Sequence, residues 1–112
     1  MSGITTHVLD TALGKPAAGV AVSLCFRADE AFSEIARAVT DADGRVRQFV
    51  PERPLVVGSY QLVFDTLGYF RAAAREAFYE RVSLEFYVAD SDQHYHVPLL
   101  LTPFGYTTYR GS

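Results

Sequence analysis

The stretch GVAVSLCFR, residues 19–27, decides the fold class. Val20, Val22, Leu24 and Phe26 fall on one side and Ala21, Ser23, Cys25 and Arg27 on the other, the period of two of a strand with one buried face. Working outward, VSLEFYVAD (82–90) repeats the pattern, with Val82, Leu84, Phe86 and Val88 opposed to Ser83, Glu85, Tyr87 and Ala89. SYQLVFD (59–65) gives Tyr60, Leu62 and Phe64 a common side. One segment breaks the rule. From about Thr66 to Ala74 the chain is rich in alanine and arginine and predicts a short helix. Asp43-Gly44 in TDADGRV (40–46) is a hairpin signal, because both residues tolerate positive φ. About seven or eight short strands, spaced by turns and joined by one helix, predict an antiparallel β-sandwich rather than a βαβ fold.

The totals agree with one domain spanning residues 1–112, of which 49% is hydrophobic, enough for a single modest core. Thirteen acidic and ten basic residues give a formal charge of -3, and no basic cluster suits a phosphate backbone, so nucleic acid is not an expected partner. The opening MSGITTHVLD lacks the basic and apolar regions of a secretory signal, and no run approaches the roughly 18 apolar residues of a membrane span. A cytoplasmic protein without membrane partners is expected. The single cysteine, Cys25, has no internal disulfide partner and lies mid-strand, where a thiol acts as a small inert hydrophobe.

Parity along HYHVPLLL (94–101) carries the functional inference. Tyr95, Val97, Leu99 and Leu101 form a core stripe, so His94, His96, Pro98 and Leu100 share the outside of the sandwich. Two imidazoles running into proline and leucine make an unusual solvated face, which predicts a second surface covering it, and self-association is the simplest source. GYTTYR (105–110) splits into Tyr106, Thr108, Arg110 and Gly105, Thr107, Tyr109, neither set apolar enough for ordinary core. In ITTHVLD (4–10), His7 shares parity with Thr5 and Leu9, opposite Ile4, Thr6 and Val8. Parity alone does not say which of these sides faces in.

Several chemistries fit these residues. His94 and His96, two apart on one strand face, suit a common metal, and His7 supplies a third ligand for zinc with an open water position. The alternative is that the three histidines serve structural or non-metal roles. DADG lacks a calcium loop's first ligand, because Val39 stands there, and no glutamate follows at the required distance. Arg45, after the Asp-Gly turn, is either a solvated turn charge or a binding group on a loop tip. Arg110 either solvates the chain end or anchors it in a pocket.

THVLDTALGKPAAGVAVSL (6–24), TDADGRV (40–46) and HYHVPLLLTPFGYTTYRGS (94–112), in this order and spacing, resemble the 5-hydroxyisourate hydrolases, or transthyretin-related proteins. The ending Tyr-Arg-Gly-Ser separates these hydrolases from true transthyretins. Asp41-Ala42 departs from the asparagine that relatives often carry, and RAAAREAFYERV (71–82) matches little beyond a helix followed by a strand. The resemblance implies a transthyretin-like sandwich and a homotetramer, a dimer of dimers with its sites where the outer faces of two dimers meet. It implies hydrolysis of 5-hydroxyisourate to 2-oxo-4-hydroxy-4-carboxy-5-ureidoimidazoline in urate catabolism, without metal or organic cofactor. It assigns His7, Arg45 and His96 to catalysis, and Tyr109, Arg110, Gly111 and Ser112 to substrate binding together with His7 and Arg45. Within that scheme the histidines deprotonate water, Arg45 binds a ring oxygen, Arg110 and the Ser112 carboxylate fix the tail, and His94 supports the site. The rival readings are a small-ligand carrier of transthyretin type, disfavoured by imidazole and guanidinium where apolar walls are wanted, and a zinc hydrolase using His7, His94 and His96.

Overall fold

The computed structural model describes residues 3–112; Met1 and Ser2, part of the expected single domain, lie outside the described residues. Two sheets face each other. One contains β1 (Gly3–Asp10), β2 (Lys15–Pro16), β5 (Arg45–Val46), β8 (His94–Thr102) and β9 (Gly105–Thr108), in the order β2-β1-β8-β9 with β5 also on β1. The other has the order β4-β3-β6-β7, from β3 (Ala21–Ala28), β4 (Ala31–Val39), β6 (Gly58–Phe64) and β7 (Val82–Val88). The helix α1 spans Thr66–Ala72.

The expected sandwich is therefore present, with the two shortest strands, β2 and β5, adding to the seven long enough to read from alternation. Val20, Val22, Leu24, Tyr60, Leu62, Phe64, Val82 and Val88 are buried between the sheets, facing Ile4, Val8, Tyr95, Val97, Leu99 and Leu101. One feature departs from an all-antiparallel sheet. β1 and β8 run parallel, Gly3 opposite His94 through Asp10 opposite Leu101. Parallel neighbours need a long crossover, and here the whole second sheet lies in the connection.

The Asp43-Gly44 turn also does a different job from the expected hairpin. β4 and β5, which flank it, lie in different sheets, so the turn hands the chain across the sandwich. Only Gly44 has positive φ, at 75°. A Cβ there would strike the Val8 carbonyl and the Ala17 amide nitrogen, while the Gly44 carbonyl accepts from the Val8 amide at 2.7 Å. Glycine is needed for this approach. Cys25 sits where the β3–β4 register shifts and its thiol is buried, which pushes its pKa up, with Glu34 adding to the effect. That environment suits an inert thiol.

Helix α1 is capped by Asp65, whose Oδ1 accepts from the Gly68 amide at 3.0 Å, and it buries Thr66 and Phe70. It is tied to the end of β1. Asp10, fully buried, accepts from Arg75 Nη1 at 2.6 Å, from the Tyr69 hydroxyl at 2.8 Å and from the Leu13 amide at 3.1 Å. Burial alone would raise the Asp10 pKa; the Arg75, Tyr69 and Leu13 hydrogen bonds together with the Arg75 charge outweigh it and leave the carboxyl below its ordinary value. Among the described residues no helix is long and apolar enough to cross a membrane.

The Asp10→Asn variant keeps the shape and removes the charge, so it should lose about 3 kcal/mol at pH 7 in a urea titration. A carboxylate depressed on folding stabilises fully above its unfolded value of 3.8 and loses that contribution as pH falls through the folded value. The gap between wild type and variant should therefore close in that acid range. Equal stability at pH 7 would show that the ion pair does not hold the helix.

Candidate active site

The inward residues of β1 are Ile4, Thr6, Val8 and Asp10, all buried, so Thr5, His7 and Leu9 face outward. Sequence parity left that choice open; the Asp10 anchor and the core settle it. On β8 the buried Tyr95, Val97, Leu99 and Leu101 put His94, His96, Pro98 and Leu100 outside. The parallel register then sets Gly3 beside His94, Thr5 beside His96 and His7 beside Pro98, while β5 sets Arg45 directly opposite His7. Three histidines and one arginine thus come to one patch of the outer sheet from three separate parts of the chain.

A pocket of ≈ 240 Å³ opens on this patch, walled by Thr5, Arg45, Arg47, His94, His96 and Ser112. Thr5 Oγ1 stands 2.8 Å from Nε2 of His94 and 2.8 Å from Nδ1 of His96. His7 Nε2 lies 2.9 Å from the Asp43 carbonyl oxygen. A carbonyl only accepts, so neutral His7 carries its hydrogen on Nε2 and keeps the lone pair on Nδ1. Burial pushes the His96 imidazole below its ordinary pKa, and the charges of Arg45, His7 and His94 push it the same way. A half-buried histidine among cations is held neutral, as a base must be.

Arg45 is aimed by its turn. Asp41 Oδ1 accepts from the Asp43 and Arg45 amides, each at 2.9 Å, and Oδ2 accepts from Arg47 Nη1 at 2.7 Å. The hydrogen bond from the Arg45 amide, helped by the Asp43 amide and Arg47, holds the Asp41 carboxyl below its ordinary value against the opposing effect of burial.

The tail divides. Leu99 pairs with Thr108 and His96 with Gly111 in one antiparallel register, which places Tyr109 opposite Pro98 and Arg110 opposite Val97. Tyr109 therefore starts from the side of the histidines, although it also borders a groove shared with β7. Arg110 turns to the other side. Its guanidinium lies over the Tyr95 ring, 4.4 Å from the centroid, and donates to Gln93 Oε1 at 2.9 Å and to the His94 carbonyl at 3.4 Å. Through these contacts Arg110 tethers the tail within one chain. Gly111 donates its amide to the His96 carbonyl at 2.8 Å, and a Cβ on it would come within 2.6 Å of His96 Cδ2. Glycine lets the tail lie flat on the imidazole and brings Ser112 to the pocket.

The geometry also bears on zinc. His94 and His96 aim their ring nitrogens at one hydroxyl and His7 aims at a carbonyl, and among the described residues no three of His, Cys, Asp and Glu gather as a metal site would require. Sequence reading missed Thr5, Asp41 and Arg47 as parts of this site. Thr5 had one signal, its shared parity with His7; the other two depend on a turn geometry that spacing does not give.

Known proteins agree with this architecture. A model of the HIUase/Transthyretin family matches residues 4–111. The chain is 50% identical to the 5-hydroxyisourate hydrolase of Deinococcus radiodurans, over 98% of this chain and 96% of that one. It superposes on the solved Klebsiella pneumoniae 5-hydroxyisourate hydrolase with a TM-score of 0.86 and 40% identity, covering 99% of this chain and 100% of that one. The transthyretin of Sparus aurata gives a TM-score of 0.91 at 32% identity, over 99% of this chain and 97% of that one. Backbone shape is thus common to enzyme and transthyretin, and the side chains on the outer sheet must separate them. The chain belongs to the HIUase/transthyretin family.

Proposed function

We propose that this chain is a 5-hydroxyisourate hydrolase that opens its substrate to 2-oxo-4-hydroxy-4-carboxy-5-ureidoimidazoline in urate catabolism. The observation that carries the reading is the meeting of His7, His94, His96 and Arg45 on one outward sheet face, with Ser112 at the pocket wall. Opening a cyclic amide with water needs a neutral base, a cation for the charge that grows on the carbonyl oxygen, and walls that hold a planar ring. His96 has the depressed pKa of a neutral base, and its remaining free ring nitrogen is Nε2. It takes a proton from water as the oxygen attacks the ring carbonyl. Arg45 stabilises the resulting oxyanion, the ring C–N bond breaks, and the imidazolium returns the proton to the departing nitrogen. His7, with its Nδ1 lone pair free, orients the water, while Tyr109 and Ser112 wall the ring and His94 supports His96.

The working form in this reading is a tetramer, a dimer of dimers, with sites between dimers. Two features support it. β7 and β9 end their respective sheets and border one groove, so a second copy can extend both sheets at once through free edge strands. Leu100, half-buried beside the histidines, with Leu13 and Phe104 exposed on loops of the same sheet, provides apolar surface for a further copy. A cytoplasmic setting fits the single unpaired cysteine.

A carrier reading is favoured by one observation, the fit to sea bream transthyretin in complex with thyroxine, with a TM-score of 0.89. The cationic, imidazole-rich pocket weighs against it for an apolar ligand. Assay separates them: a carrier binds thyroxine and leaves 5-hydroxyisourate to decay unaided.

In the hydrolase reading, His96→Ala and Arg45→Ala should each cut the ring-opening rate by about 100-fold or more, with circular dichroism unchanged. His7→Ala should do likewise, and a triple variant of normal rate would end the assignment. The rate should rise with pH along a limb whose midpoint lies below 6.5, the ordinary histidine value. Histidine NMR provides the matching check: Arg45→Ala, by removing one positive neighbour, should move the His96 titration upward, and an unmoved titration would mean that Arg45 does not act on His96.

A further inference from the structure

Thr5 has no role in any family resemblance drawn above, yet its hydroxyl is the only polar group bonded to two of the three histidines among the described residues. Its position is fixed twice over. It stands directly opposite His96 in the β1–β8 ladder, and its β-branched side chain has few rotamers to choose from. A hydroxyl has one proton and two lone pairs. Of the two ring nitrogens that face Thr5 Oγ1, at most one can therefore be without hydrogen while both bonds are kept.

We propose that Thr5 is a positioning residue that sets the tautomer of His96: Nδ1 of His96 donates to Thr5 Oγ1, and Thr5 donates onward to Nε2 of His94. This order leaves the lone pair of His96 on Nε2, where an attacking water can use it. The inference rests on the reading of His96 as the base. The opposite order would put hydrogen on Nε2 and close the base. The surroundings of His96 leave Nε2 as its free polar atom, because Nδ1 is taken by Thr5 and the Cδ2 edge is covered by Gly111. His94 is the exposed member of the pair, so its own unbonded nitrogen meets solvent whichever tautomer it holds. The hydroxyl is what makes the Nδ1–H form of His96 acceptable at a half-buried site, since without it that N–H would face a methyl group and lose its partner.

The test reads the proton directly. Side-chain nitrogen NMR of the full chain, at a pH above the His96 titration, should show hydrogen on Nδ1 of His96 in the wild type. In Thr5→Val, which keeps the shape and loses the hydroxyl, the hydrogen should move to Nε2 and kcat should fall by about 100-fold with KM little changed. Thr5→Ser should restore both the spectrum and kcat. Hydrogen on Nε2 in the wild type would overturn the proposal, as would a Thr5→Val variant that keeps both tautomer and kcat. The wild-type spectrum needs no variant, so a poorly folded Thr5→Val would not spare the proposal. Failure of the base reading looks different: His96→Ala would retain the rate whatever the spectrum shows.

Discussion

The parallel ladder between β1 and β8 is the constraint on which the rest depends. Its inner side is filled by Ile4, Thr6, Val8 and Asp10 from one strand and Tyr95, Val97, Leu99 and Leu101 from the other. Slipping either strand by one residue would turn its whole buried set to the outside. The hydrophobic core and the Asp10 ion pair therefore lock the register, and the register in turn puts Thr5 against His96 and His7 against Pro98. Site geometry is a by-product of core packing. No separate device is needed to bring together groups that stand about ninety positions apart in sequence, as the Thr5 to His96 separation of 91 shows.

Two smaller devices complete the arrangement. Asp41 gathers two amides and one guanidinium around its carboxylate, and Gly44 lets the turn press on β1, so that Arg45 arrives opposite His7. At the other margin Arg110 and Gly111 divide the work of fastening the tail, one by stacking on Tyr95 and the other by lying on His96. The result gathers three imidazoles and a guanidinium on one sheet face, with His96 half-buried among them.

Much of this was legible in the sequence because alternation reports burial directly. The stripes of β3, β6, β7 and β8 fell on the sides that the sandwich buries, and the outward set His94, His96, Pro98 and Leu100 followed from the same parity. Parity says nothing of which strands become neighbours. The parallel pairing of β1 with β8 was for that reason not legible, and the Asp-Gly signal correctly marked a turn while leaving open that its flanks would enter different sheets. Arg110 shows a different limit: its contacts to Gln93, His94 and Tyr95 depend on the tail continuing the β9 register past the end of the strand. Thr5 was visible beside His7 in parity, but its role needs two imidazoles delivered by another strand.

The account stands or falls on chemistry at the outer sheet face, and one measurement addresses it most directly. Freshly generated 5-hydroxyisourate can be followed by its ultraviolet absorbance with and without the purified, folded protein. The account predicts that catalytic amounts of protein hasten the decay in proportion to their concentration. A decay no faster than in buffer alone would contradict it, and would leave the imidazole cluster as an ornament on a binding protein's sandwich.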